Sequence, residues 1–276
     1  MYAGENHLEL LEQKTTKLHG LLHEYARVAV AFSGGVDSSF LLKSALDVLG
    51  AGNVLVMHAK SCLVGLQEQR QAENWPARHG FLGVEFSTIE LQPLLWKEFV
   101  ENSERRCYFC KLRMYKEFMA VMHGYDLHVL LDGTNTDDLK DRRPGLSAIH
   151  ELGVQTPLVD AGFSKNDIRA CSRSLGLDTW DIPSASCLAT RIPHGVAITG
   201  DRLEKIAMYE EGMATLGFTG CRVGLHPQQD DTVFLRILHS DFDRFARPGM
   251  RQAIVRFFQR SGITDIFLNL QGREMI

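Results

Sequence analysis

Residues 28–42 read VAVAFSGGVDSSFLL, and this stretch decides the fold. An apolar run of strand length comes first, and Gly34 and Gly35 follow it as a tight turn. A pattern of helical spacing then continues to Gly50, a residue type that commonly ends helices. Further strand-like runs lie at 53–59, 84–89 and 128–132. Strands alternating with helix-compatible segments predict an α/β fold, with a parallel sheet and helices on both of its faces.

The pattern changes after Gly195. Residues 201–216 and 241–260 are typical of helices, and residues 221–225, 232–238 and 265–270 are typical of short strands. This order predicts a small α+β unit. We therefore expect an α/β domain over residues 1–195 and a substrate-binding or oligomerisation domain over residues 196–276.

The bulk composition is that of an ordinary soluble protein. The 276 residues are 45% hydrophobic and 23% charged, with a net charge of −4. A protein that mainly binds nucleic acid usually has a basic excess, so a nucleic-acid partner is not expected. The longest apolar runs are too short to span a bilayer, and no secretory signal is recognisable. We expect a cytoplasmic protein without a membrane partner.

The turn after the first strand has the features of an anion site. Paired glycines let backbone N–H groups point inward, and the following helix presents its positive end. The predicted phosphate ligands are the residues Ser33, Gly34, Gly35, Ser38 and Ser39. Asp37 suits phosphates only if a Mg²⁺ ion lies between them. The turn lacks the lysine of a Walker A loop and the spacing of a dinucleotide fingerprint.

Three cysteines carry a second possible site. Cys107 and Cys110 form a CxxC pair, and Cys187 follows in the segment PSASCLATR. The pair alone could be a redox couple, half of a zinc site or packed thiols. Three thiolates with one open position suit a [4Fe–4S] cluster that leaves one iron free. Basic neighbours would stabilise thiolates and attract anions: Arg105, Arg106, Lys111 and Arg191. Cys62, Cys171 and Cys221 are not clustered with other cysteines in the sequence, so we expect them to be ordinary buried residues.

The turn SGGVDSS resembles the PP-loop of the ATP-pyrophosphatase superfamily, which includes asparagine, GMP and NAD synthetases and several tRNA thiolases. The resemblance implies ATP cleavage between the α and β phosphates, which gives an adenylated substrate and pyrophosphate. It places adenine contacts at the end of the second strand, at His58, Ala59 and Ser61. It also assigns nucleotide contacts to Gly133 and Thr134, in a segment similar to one of NAD synthetases.

Further segments are similar to the LarE family of ATP-dependent sulfur transferases. They are RCYFCK, the DRRPG run that begins at Asp141, the SKNDIR run that begins at Ser164, and PSASCLATRIPHG. The resemblance implies that the substrate is pyridinium-3,5-biscarboxylic acid mononucleotide, whose carboxylate is adenylated and then converted to a thiocarboxylate. Family members differ in sulfur source. Three cysteines favour a cluster on Cys107, Cys110 and Cys187, and the alternative is sacrifice of Cys187 alone, leaving dehydroalanine.

The same resemblance assigns roles in the second half of the chain. It brings Thr190, Arg191, Glu210 and Arg222 to the substrate phosphate or metal region, and it implies a homo-oligomer such as a trimer or hexamer. The chain departs from the family pattern at three positions. Gly224 replaces a second strand arginine, Leu238 a glutamate and Ile182 a lysine that some members have.

Three other interpretations remain open from the residues. A tRNA thiolase would share the loop and the chemistry, but should carry a basic RNA surface. An amide-forming synthetase would use ammonia and leave the cysteines incidental. A nucleotide sensor with a structural zinc would bind ATP without releasing pyrophosphate.

Overall fold

The computed structural model describes residues 2–140, 144–184 and 186–274, which form two compact units. The first unit comprises Met1–Ser61, Leu66–Leu91 and Cys107–Ile182, and the second comprises Cys62–Gly65, Gln92–Arg106 and Pro183–Ile276. The helices are α1 (Tyr2–Tyr25), α2 (Val36–Leu49), α3 (Leu66–Glu73), α4 (Trp75–Arg78), α5 (Lys97–Val100), α6 (Arg106–Gly124), α7 (Pro144–Glu151), α8 (Pro157–Asp160), α9 (Lys165–Ser174), α10 (Gly200–Thr215), α11 (Phe242–Ala246) and α12 (Pro248–Arg260). The strands are β1 (Val28–Ala31), β2 (Val54–Lys60), β3 (Glu85–Glu90), β4 (Leu130–Leu131), β5 (Arg222–Leu225), β6 (Thr232–Arg236) and β7 (Asp265–Leu268).

The first unit is built on a four-stranded parallel sheet with the order β3-β2-β1-β4. Alternate residues of β1 point to opposite faces. Val28 and Val30 join a buried cluster with residues of α1, α2 and α9, whereas Ala29 and Ala31 join another with residues of α6 and α7. Burying one large aliphatic side chain in such a cluster stabilises the fold by about 2 kcal/mol. The predicted α/β architecture, with helices flanking a parallel sheet, is confirmed.

Local hydrogen bonds and backbone conformation determine where several helices begin and end. The left-handed Gly50 ends α2, and Ser164 and Asp167 form the reciprocal capping box that starts α9. The strand predicted over residues 128–132 is reduced to the two residues of β4. The helix predicted over residues 241–260 is two helices, because Pro248 lacks an amide hydrogen and starts a new helix at its first turn.

The second unit contains a three-stranded sheet with the order β5-β6-β7. β5 and β6 are antiparallel, and β6 and β7 are parallel. The inward residues Val223, Val233 and Leu235 pack with Tyr209 of α10 and Phe258 of α12.

The division between the units differs from the predicted boundary near residue 196. Residues 183–195 belong to the second unit, because Arg191 forms an ion pair with Glu210 of α10. Residues 92–106 belong to it as well, since the Asn102 side chain donates to the carbonyls of Pro193 at 2.8 Å and Val196 at 2.7 Å. Such contacts between distant parts of the chain leave no trace in local periodicity.

No helix within the described ranges is both long and apolar enough to cross a membrane. The lone cysteines differ in burial. Cys221 is buried, Cys171 is half-buried and Cys62 is exposed, so the expectation of a buried thiol was wrong for Cys62.

Candidate functional site

The loops that follow β1 and β4 meet at the carboxyl edge of the first sheet. In the order β3-β2-β1-β4, strands β2 and β3 lie on one side of β1, and β4 lies on the other. Open α/β sheets bind ligands at such a switch point. Gly34 has a φ of +79°, and a Cβ atom there would lie 2.9 Å from the Cβ atom of Ala72. A Cβ atom on Gly133 would lie 3.0 Å from the backbone nitrogen of Ser38. Both glycines are therefore required for close backbone approach, and the predicted loops come together.

The hydroxyl groups of the first loop bond to one another. The Ser33 and Ser38 Oγ atoms lie 3.1 Å apart, and the Ser38 hydroxyl donates to the Gly35 carbonyl at 3.1 Å. The buried Ser39 hydroxyl has no hydrogen-bond partner among the described residues. Gly35 is the N-cap of α2 and has no side chain with which to cap it. The positive end of α2 thus remains suited to an anion.

Asp37 forms an ion pair with Lys165, the first residue of α9. The other carboxylate oxygen, Oδ1, is buried and has no partner among the described residues. Burial raises the pKa of Asp37, and the Lys165 ammonium opposes that rise. An orphaned carboxylate oxygen is a hard ligand that fits Mg²⁺.

Lys165 was missed as a site residue in the sequence. Its segment was noted for its helix cap and for the family resemblance, whereas its partner Asp37 lies 128 positions earlier. The backbone amide of Lys165 donates to Asp137 Oδ2 at 2.7 Å, which fixes the start of α9.

The residues predicted to contact adenine lie at the end of β2. His58 is buried, and its Nδ1 atom lies 2.9 Å from the Phe32 carbonyl. That contact requires Nδ1 to carry the proton, so Nε2 is a buried acceptor, and it has no partner in the described part of the chain. Burial lowers the pKa of His58 and keeps the ring neutral. Ala59 and Ser61 are half-buried, and the Ser61 carbonyl accepts from Gln69 at 2.9 Å.

A buried polar network holds the loop after β4. Asp132 Oδ1 accepts from the Thr134 amide at 2.8 Å and from its hydroxyl, and Asp132 Oδ2 accepts from Tyr115 and from Lys111 at 3.3 Å. Burial penalises the charged carboxylate, but the Lys111 ammonium and these hydrogen bonds outweigh it, and the pKa of Asp132 is lowered. The predicted nucleotide ligand Thr134 therefore has its hydroxyl engaged by Asp132. Asp132 begins the segment that is similar to one of NAD synthetases but was not predicted as a site residue, and no sequence pattern indicated Tyr115.

The cysteines lie on different units. Cys107 and Cys110 are half-buried and lie one turn apart on α6, so they share a face of that helix. Cys187 is half-buried and precedes a short 3₁₀ helix, Leu188–Arg191, in the second unit. No group of three or more His, Cys, Asp or Glu side chains within the described residues has a metal-binding arrangement. The three-cysteine ligand set stays a prediction, although thiolates are the donors that an iron–sulfur cluster requires.

Arg191 and Glu210 form a well-buried bidentate ion pair in the second unit. Arg191 Nε lies 2.7 Å from Oε1 and Nη2 lies 3.1 Å from Oε2, while the Val223 amide also donates to Oε1 at 3.0 Å. Arg191 Nη1 donates to the carbonyls of Ser186 at 2.7 Å and Cys187 at 3.1 Å, and to the Thr190 hydroxyl at 2.8 Å. The structure thus brings Thr190, Arg191 and Glu210 together around the backbone of Cys187.

Arg222 lies near this ion pair. Its Nη2 atom donates to the Ser184 carbonyl at 2.8 Å, and its buried Nε has no partner among the described residues. Burial and the nearby guanidiniums of Arg273 and Arg191 lower the pKa of Arg222 to about 10. Arg273 was missed from the sequence, because it lies beyond the last strand in a segment without a motif.

The three positions that depart from the family pattern all lie within the described residues. The Ile182 carbonyl accepts from Arg169 at 2.9 Å, Gly224 lies in β5, and Leu238 is buried. The predicted segment Asp141, Arg142 and Arg143 lies outside the described residues, as does Ala185.

Comparison with known proteins identifies relatives over most of the chain. No protein-family model matches. A Synechocystis protein without an assigned function is 30% identical over 265 residues, covering 96% of both chains, and one from Methanocaldococcus jannaschii is 24% identical over 245 residues, covering 89% of this chain and 90% of its own. The pyridinium-3,5-bisthiocarboxylic acid mononucleotide synthase of Lactiplantibacillus plantarum is 33% identical over 216 residues, covering 78% of this chain and 77% of its own. At that identity and coverage, this chain belongs to the LarE family, the family of that synthase.

Proposed function

We propose that this chain is an ATP-dependent sulfur transferase that converts a carboxylate of pyridinium-3,5-biscarboxylic acid mononucleotide into a thiocarboxylate. The family relationship supports sulfur transfer to a pyridinium mononucleotide. The single structural observation that carries the ATP-dependent step is the orphaned Asp37 oxygen beside Lys165, in a loop whose backbone suits an anion.

Adenylation solves the chemical problem of a poor leaving group. A carboxylate oxygen of the substrate attacks the α-phosphorus of ATP, and the bond to the β-phosphate oxygen breaks to release pyrophosphate. The Ser33–Ser39 loop would bind the pyrophosphate portion, and the α2 N-terminus and Lys165 would stabilise its charge. Asp37 Oδ1 would hold Mg²⁺, which supplies charge neutralisation when bound. His58 Nε2 offers an acceptor to an amino group, as the adenine assignment requires.

Thiolation then replaces AMP. A sulfur nucleophile attacks the acyl carbon, and the bond from that carbon to the AMP oxygen breaks. Cys107, Cys110 and Cys187 would hold a [4Fe–4S] cluster, whose open iron supplies a binding position for sulfide. Arg191 would hold the Cys187 segment through its carbonyl bonds, in addition to its predicted contact with substrate. Arg222 and Thr190 would bind the substrate phosphate.

The alternative sulfur source is Cys187 alone. Its thiolate would form a thioester as AMP leaves, and removal of the Cα proton would then break the Cβ–S bond. The products are a thiocarboxylate and dehydroalanine at position 187. Intact-mass measurement separates the two routes, since only this one removes the elements of H₂S from the protein.

The test uses anaerobically reconstituted protein with ATP, Mg²⁺ and either the pyridinium mononucleotide or tRNA. We expect AMP, pyrophosphate and a thiolated mononucleotide, and we expect Asp37→Asn to abolish all three products. Cys62→Ala, which changes an exposed thiol, is the matched control and should remain active. AMP formation stimulated by tRNA alone would overturn the proposal. Iron and sulfide no higher than in the triple Cys→Ala variant would refute the cluster.

A further inference from the structure

Three residues of α6 form one row along the helix. Cys107, Lys111 and Tyr115 are spaced four positions apart, so they lie on the same face of α6. Two of them contact one carboxylate oxygen, because Asp132 Oδ2 accepts from the Tyr115 hydroxyl and, at 3.3 Å, from the Lys111 ammonium. The face of α6 that carries Cys107 is therefore directed towards the residue that follows β4.

The same carboxylate holds the loop after β4. Its other oxygen, Oδ1, accepts from the Thr134 amide at 2.8 Å and from the Thr134 hydroxyl. Asp132 thus bonds to α6 with one oxygen and to the predicted nucleotide loop with the other. Hydrogen bonds to a charged group are stronger than those between neutral groups, so the two elements are joined firmly.

Apolar packing already holds α6 on the sheet without this carboxylate. Phe118 and Met122 are buried in a cluster with Leu55 and Leu130 of the strands. Burial disfavours the charged form of Asp132, but the Lys111 ammonium and the hydrogen bonds outweigh it and lower its pKa. Replacing buried ionic groups with apolar ones is often neutral or stabilising. A charge retained at this position therefore indicates a role in geometry as well as in stability.

The Lys111 side chain is confined by its neighbours. A Cβ atom on the buried Gly145 of α7 would lie 3.3 Å from Lys111 Cδ and 3.7 Å from the Cys107 carbonyl oxygen. Lys111 Nζ also lies 5.4 Å from the centre of the Tyr115 ring. Because close-packed side chains have little room to move, the bonds to Asp132 fix the rotation of α6 about its own axis.

We propose that Asp132 is a positioning residue for sulfur transfer, which sets the direction in which Cys107 and Cys110 face relative to the nucleotide loop. The roles of the loop and of the two cysteines rest on the proposed function. Asp132 acts only through the groups that it holds. Because a displacement of about 1 Å can lower a rate about a hundredfold, a fixed direction of these thiols matters for the transfer step.

Variants that each remove one hydroxyl separate the two sides of the carboxylate. Tyr115→Phe acts on the helix side, so kcat for thiolation should fall about threefold to tenfold, the effect of one lost hydrogen bond, with KM for ATP unchanged. Thr134→Val acts on the loop side and should instead raise KM for ATP. Asp132→Asn should show both effects. Tyr125→Phe is the matched control and should show neither, because Tyr125 is an exposed tyrosine that donates to the Glu85 carboxylate at 3.1 Å.

A second pair of measurements does not depend on turnover. Calorimetry gives the affinity for ATP, and peptide mass spectrometry gives the rate at which iodoacetamide alkylates Cys107 and Cys110 in the full chain before cluster reconstitution. Tyr115→Phe should accelerate alkylation about threefold or more, because α6 is held less firmly, and should leave ATP affinity unaltered. Thr134→Val should weaken ATP binding and leave alkylation unaltered. These two variants keep the test decisive if Asp132→Asn fails to fold.

Parallel losses of thiolation and ATP affinity in Tyr115→Phe and Thr134→Val, in step with a lower melting temperature, would show a purely structural role and overturn the assignment. Unchanged kcat and unchanged alkylation in Tyr115→Phe would overturn it while the proposed function stands. Absence of ATP binding by the unaltered protein would instead refute the proposed function, and the alkylation rates would still test whether Asp132 orients α6.

Discussion

Glu210→Gln should destabilise the second unit strongly, because it removes the charge that balances Arg191. The Arg191 side chain is 8% exposed and that of Glu210 is 17% exposed, so water cannot replace the lost partner fully. Removing one member of a buried ion pair costs about 3–5 kcal/mol. Glutamine keeps one acceptor oxygen, and Arg191 keeps its carbonyl bonds, so we expect a loss below that range, about 2–3 kcal/mol.

The assay is thermal and urea unfolding of the purified protein. For a chain of this size, a loss of 1 kcal/mol lowers the melting temperature by about 2–4 °C, so we expect a decrease of about 5–10 °C. Glu101→Gln is the control, because Glu101 faces Lys97 across 3.8 Å with side chains 57% and 85% exposed, and such pairs contribute about 0–1 kcal/mol. A double-mutant cycle with Arg191→Met should give a coupling above about 1 kcal/mol. Equal effects of Glu210→Gln and Glu101→Gln, or zero coupling, would refute the reasoning.

Two further predictions concern the first unit. Gly34→Ala should lower the free energy of unfolding by about 1–2 kcal/mol and abolish ATP binding in calorimetry, because the φ of +79° disfavours a side chain and the new Cβ would meet Ala72. Gly52→Ala, with open space around it, is the control. Retained ATP binding in Gly34→Ala would contradict the prediction. Stability should fall as pH is lowered through about 6.5, because burial lowers the pKa of His58 in the folded state and the unfolded state takes up the proton first. His58→Gln should flatten the dependence of melting temperature on pH between about pH 7.5 and 5.5, whereas His128→Gln, which changes an exposed ring, should not. Identical slopes of melting temperature against pH in the two variants would contradict the role given to His58.

The sequence predicted the features that depend on neighbours along the chain. The apolar run before SGGVDSS forms a buried strand because its alternate residues face two helical layers. The capping box at Ser164 and the stop at Gly50 are local hydrogen-bond and backbone effects, and both were correct. The Gly34 and Gly133 loops, which were both assigned to the nucleotide, lie close together because parallel strands end at the same edge of a sheet.

Features that depend on long-range packing were not predicted. Lys165 reaches Asp37 across 128 positions, and nothing near either residue indicates the other. Residues 183–195 were assigned to the first domain, but Arg191 forms an ion pair with Glu210 of α10. The exposure of Cys62 is a tertiary property too, since residue type alone favours burial.

The two proposed anion sites differ in the charge that surrounds them. In the first unit the positive charge at the loop is partly neutralised, because Asp37 pairs with Lys165. Such a site gains affinity for a polyphosphate when a divalent cation joins it, and this suits ATP. In the second unit Arg222 and Arg273 have no paired carboxylate in the described chain, so the substrate phosphate proposed to bind at Arg222 would need no metal. Removing Mg²⁺ should therefore weaken ATP binding and leave binding of the substrate phosphate at Arg222 unchanged. Equal loss of both on chelation would mean that the two anions share one metal-dependent site.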